Sequence, residues 1–171
     1  RSTRCLKKVE FLFESCYSIS FHILRHTHNL FLNCPTLETI QIDVPEHFIF
    51  FLKKNTVPAP DDLANDTSVY NMNFSGHSKL QDKGLKFLSE IIFSLPTLRE
   101  LTVYLTTCHM ISDEGLSYLA TGISTLSTLT KMDLRFITCR FISEAGINYL
   151  SGALKSLQGL EFLMLKFTSS H

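Results

Sequence analysis

The chain has no surplus of either charge: sixteen Lys and Arg balance sixteen Asp and Glu over 171 residues. Without a basic footprint, nothing draws it to a phosphate backbone or an anionic lipid surface, so nucleic acid is not an expected partner. Long apolar runs are missing as well. No stretch approaches the roughly 20 residues that a membrane helix needs, so no membrane association is expected. The opening RSTRCLKK lacks the apolar segment of a signal peptide. The first residue is Arg1 rather than Met, which is expected of a fragment of a longer array.

Catalytic signatures are absent too. The sequence has no G-x-S-x-G, no P-loop, no H-E-x-x-H, and no Cys set beside a His by a recognised local pattern. An enzyme is therefore not expected, and no cofactor, metal or small-molecule substrate is indicated. His22 and His26 lie four apart on an expected helix over 17–34, but no carboxylate or cysteine of suitable spacing completes a metal site. The five cysteines are odd in number, unlike the even frameworks of secreted domains. Cys16, Cys108 and Cys139 fall at one phase of a repeat and Cys34 replaces a leucine, so they read as small buried hydrophobes. Reduced thiols imply an intracellular, cytoplasmic protein.

What the chain does have is a period. Leu98, Leu101, Val103 and Leu105 read L-x-x-L-x-V-x-L, and the same frame opens near residues 6, 37, 69, 98, 129 and 160. Repetition at this interval implies a solenoid in which each unit buries its apolar face only against its neighbours, and hence one domain over 1–171. The unit at 45–68 is irregular: EHFIFFLKKN brings an apolar segment ahead of phase, and Pro58 and Pro60 interrupt any long helix, so a short helix followed by a loop is expected there. The later units share G-[LI]-x-[FY]-L. Ser112 and Ser143 are placed to cap helices, with Asp113, Glu114 and Glu144 at the positive helix ends. Gly84, Gly115 and Gly146 recur at the turn into each helix, where a missing side chain permits close approach of backbone or positive φ.

With strand, turn, glycine and helix in this order, the chain resembles the leucine-rich repeat family, in its ribonuclease-inhibitor-like subtype with repeats of about 31 residues. The resemblance implies a curved, right-handed α/β solenoid, with six parallel strands on the concave side and helices on the convex side. It also implies a protein–protein interaction module that recognises a protein partner through the concave sheet face, as the recognition or regulatory part of a larger protein. One other role comes with the resemblance, GTPase activation of the Ran-activating type, whose catalytic arginine has no identifiable counterpart here; a scaffold component of a large assembly, contacted through the convex helices, is a further alternative. Strand alternation turns a varied, polar set of side chains outward. Among them Tyr70, Arg99, Tyr104, Lys131, Arg135 and Phe162 are the candidates for partner contact, because aromatic and cationic side chains of this kind anchor interfaces.

Met132 faces the core by phase. Met132→Asp should therefore bury an unpaired charge and lower the unfolding free energy by several kcal/mol, measured by urea denaturation.

Overall fold

A computed structural model describes residues 8–12, 39–44, 48–54, 67–73 and 80–168, with side chains described at Lys8, Glu10, Asn71 and throughout 80–168. Seven strands form one sheet in chain order: β1 (Lys8–Leu12), β2 (Thr39–Val44), β3 (Phe48–Lys54), β4 (Thr67–Asn73), β5 (Glu100–Thr106), β6 (Lys131–Ile137) and β7 (Phe162–Thr168). Three helices are described: α1 (Asp82–Phe93), α2 (Asp113–Ile123) and α3 (Glu144–Leu154).

The expected right-handed solenoid of six parallel strands is not what forms. The described structure is a small α/β domain with an open, mixed sheet, in which β3 runs antiparallel to both β2 and β4. Connection length explains the reversal. Only residues 45–47 separate β2 from β3, whereas a parallel crossover needs a dozen or more residues, so the chain can only fold back as a hairpin. The segment that should have begun a short helix is FIFFLKK, and its aromatic and β-branched residues suit a pleated surface better than a helix. Past this inserted strand, β4, β5, β6 and β7 are parallel neighbours. The expected helix over 17–34, with His22 and His26, lies outside the described residues, as do Cys5, Cys16 and Cys34.

Along β5 and β6 the apolar frame is buried as its period requires. Leu101, Val103 and Leu105, then Met132, Leu134 and Phe136, pack against Leu85, Leu88 and Ile92 of α1 and Leu116, Leu119 and Ile123 of α2 in one core. Each fully buried aliphatic side chain contributes about 1.5–3 kcal/mol. Phe136 stacks on Phe167 with centroids 4.9 Å apart, which extends the core to β7. Leu163 and Ile147 hold the same positions in the last unit but stay 43% and 41% exposed. The cause is position: β7 is the sheet edge, and α3 packs against α2 on one side with no described helix on the other.

Successive units are joined by an acid. Asp82 accepts hydrogen bonds from the Ser112 backbone N–H at 2.8 Å and from its hydroxyl at 2.7 Å. One unit on, Asp113 accepts from the Ser143 N–H at 2.7 Å, the Ser143 hydroxyl at 2.6 Å and the Gly146 N–H at 3.0 Å. Each serine oxygen in turn accepts from its own helix, at Glu114 N and Ala145 N, and so caps it as the sequence predicts. Glycine is required at the contact: a Cβ on Gly115 or Gly146 would stand 2.3 or 2.4 Å from the Asp82 or Asp113 carboxylate oxygen. Gly122 likewise lies against Ser89, where a Cβ would meet the Ser89 backbone at 3.0 Å, whereas Gly152 faces open space.

Cys108 and Cys139 are buried thiols that form no disulfide, and the Cys139 thiol donates to the Leu105 carbonyl at 3.4 Å. Burial pushes them up to about 12 and about 11. Two thiols so far from ionisation are packing groups rather than nucleophiles.

The hydroxyl and N–H of Ser143, then the N–H of Gly146, hold the Asp113 carboxyl below its ordinary range. A lowered folded value means stability that is complete above the unfolded value near about 4 and is lost as pH falls through the folded value. Asp113→Asn should therefore lower the melting temperature at neutral pH and make the acid side of the stability profile shallower, measured by thermal melts from about pH 7 down to about 2. Gly122→Val should destabilise by about 1–3 kcal/mol through overpacking, while Gly152→Ala should stabilise by about 0.5–1 kcal/mol, both measured by urea denaturation.

Candidate functional site

The outward residues of β5, β6 and β7 stand in rows across the sheet, set by the parallel register. Glu100, Lys131 and Phe162 form the first row, Thr102, Asp133 and Met164 the second, and Tyr104, Arg135 and Lys166 the third. The face is organised by Asp133. Its Oδ1 accepts from Arg135 Nε at 2.9 Å, and its Oδ2 accepts from Arg135 Nη2 at 2.8 Å and from the Tyr104 hydroxyl at 3.2 Å. A carboxylate only 8% exposed needs such partners, because an unpaired charge there would bear most of its desolvation cost.

The same contacts orient the partners. The guanidinium of Arg135 lies over the Tyr104 ring, 4.6 Å from its centroid, as a planar cation stacks on an aromatic face. Burial, then the Asp133 charge, raises the Tyr104 hydroxyl above its usual value, so it stays protonated and donates. The hydrogen bonds to Asp133 raise the pKa of the Arg135 guanidinium, which keeps its charge permanent. Beside this cluster Lys131 pairs with Glu100 at 3.6 Å and its Nζ stands 5.8 Å from the Phe162 ring centroid. Phe162 and Met164 are 46% and 39% exposed.

Of the six residues predicted for partner contact, the fold brings four together. Tyr104 with Arg135, and Lys131 with Phe162, are direct neighbours on adjacent strands. Arg99 is exposed but precedes β5; its backbone carbonyl accepts from Thr130 N and Lys131 N, so it stands at the rim. Tyr70 is not in these rows. Its register partner is Leu101, in the row that continues through buried Met132, because Tyr70 stands two residues before Met72 and so shares the parity of the apolar frame along β4.

Asp133 is the residue that sequence reasoning missed as a site member. The available signal was an acid two residues before Arg135, hence on the same strand face, with Tyr104 one period earlier.

On the helix side, α1 and α2 leave a groove of about 330 Å³ lined by Lys86, Ser89, Glu90, Phe93, Tyr118, Thr121 and Gly122, with Phe93 67% exposed at its margin. Among the described residues no three His, Cys, Asp or Glu side chains gather to hold a metal ion, and no helix is long and apolar enough to cross a membrane. No protein-family model matches the chain, and neither a curated protein nor a solved structure matches it significantly.

The half-exposed Tyr104 and Arg135 would ordinarily be replaced at a cost within about 0.5 kcal/mol, but here their loss strands Asp133. Changing both to alanine should destabilise the chain by about 1–3 kcal/mol, and adding Asp133→Ala should recover much of that loss. Urea denaturation of the double and triple variants measures both.

Proposed function

We propose that the chain is a protein–protein interaction module that recognises a protein partner through the outward face of β5, β6 and β7, as the recognition or regulatory part of a larger protein. The observation that carries this reading is Arg135, held by Asp133 and stacked on Tyr104 beside exposed Phe162 and Met164. Rigid aromatic and arginine anchors lose little conformational entropy on binding, and such residues dominate interface energies. Kinship with leucine-rich repeat proteins belongs to the same proposal, supported by the strand, serine, glycine and helix order shared by the units at 98–123 and 129–154. The buried, reduced pair Cys108 and Cys139 supports an intracellular, cytoplasmic setting.

A second reading rests on the groove between α1 and α2. Exposed Phe93 and the adjacent Tyr118 would serve a scaffold that docks through its helices.

Photocrosslinking separates the two. With a benzophenone side chain at Thr102 or Lys166, a discrete protein adduct should form, while the same group at Phe93 should give none. Adducts from Phe93 alone would overturn the sheet-face reading and leave the helix groove as the interface.

A further inference from the structure

The charges on the outward face do not cancel evenly. Glu100 is taken by Lys131 and Asp133 by Arg135, whereas Lys166 makes no ion pair among the described residues. Lys166 is the register partner of Arg135, so the two residues stand side by side on adjacent strands whose backbones run about 4.8 Å apart. Arg135 is also not exhausted. Asp133 engages Nε and one N–H of Nη2, which leaves three of the five guanidinium donors for an incoming acceptor. Since Asp133 and the Tyr104 ring fix the plane of the fork, those donors are already oriented before anything binds.

Apolar surface lies next to the cations. Met164 is two residues before Lys166 on β7 and Phe162 four, on the same side of the pleat, so both flank the cationic row at about 6.6 Å and about 13 Å along the strand. An extended peptide repeats its own same-side residues at that interval.

Resting on the reading above, the geometry points to a partner segment that is extended and acidic: a carboxylate seats between Arg135 and Lys166, and an apolar side chain two positions away covers Met164. The pairing supplies direction as well as contact. A carboxylate on the fork fixes the register, and burial of Met164 and Phe162 adds the non-directional part of the affinity. A basic segment would face Lys166 without a compensating acid, and a wholly apolar one would desolvate Lys166 without a partner.

The test uses the chain itself and random peptides displayed on phage. Selected clones should carry Asp or Glu two positions from a large apolar residue. A synthetic peptide from such a clone should lose about tenfold or more in affinity on changing the acid to Lys. Lys166→Glu is a surface change that should preserve the fold by circular dichroism; it should weaken the acidic peptide by a similar factor and improve the Lys-bearing one. Clones that bind this face, as judged by loss with Phe162→Ala, but carry no acid preference would overturn the acidic-segment proposal and leave the sheet-face reading standing. Clones indifferent to both Lys166→Glu and Phe162→Ala would overturn the sheet-face reading itself.

Discussion

The hydrogen bonds from Ser112 to Asp82 and from Ser143 to Asp113 set the distance between neighbouring units, and the remainder of the described structure depends on that distance. Strands in a sheet lie about 4.8 Å apart, whereas helices pack at about 8–10 Å, so a layer of helices fits a parallel sheet only where the helices come unusually close or the layers diverge. Here the helix starts are drawn in. Gly115 and Gly146 give up the side chain that would collide with each acid, and Gly122 does the same against Ser89 farther along. An acid at a helix start would be mildly favourable anyway, through the helix dipole. Its second use, in accepting the next unit's N–H and hydroxyl, turns a local preference into a long-range one across thirty residues of sequence.

That device was half legible. Serine caps, acids and glycines at fixed spacing could be read from the sequence as features of each helix taken alone, and each one occupies its expected place. Their coupling between units could not be read, because a sequence shows that Asp113 begins one helix but not that its carboxylate faces Ser143 of the next. The error over fold class has a different origin. Periodicity treats residues between recurring frames as filler of variable form, so FIFFLKK reads as an early helix, and the limit that the three residues before it place on topology does not show in the period. A connection that short forbids a parallel crossover whatever the surrounding period suggests. Tyr70 stays out of the outward rows for a simpler reason: it is two residues from Met72 and shares its parity, so it would miss those rows whether Met72 pairs with Val103, as it does, or with Leu101.

The outward face shows the same division between residue type and residue relation. Alternation along a strand was enough to place Tyr104, Lys131, Arg135 and Phe162 on one side, since the period of two follows from backbone geometry alone. It gave no sign that Asp133, alternate to the core positions Met132 and Leu134 and formally exposed, would be the least accessible member of that face. Its burial comes from above, by the Arg135 and Tyr104 side chains that fold over it.

This inverts the ordinary relation between stability and recognition on a sheet surface. Exposed residues are commonly free to change because nothing beneath them depends on their presence. Tyr104 and Arg135 cover a charge, so the arrangement that presents them to a partner is held by the cost of uncovering it. The face is thereby kept in one geometry before any partner arrives, with Asp133 limiting the rotamers open to Arg135 and the Tyr104 ring limiting its tilt. A partner's carboxylate reaching the remaining guanidinium donors meets a group whose conformational entropy was already lost on folding, and the free energy of that contact goes into binding rather than into ordering the arginine.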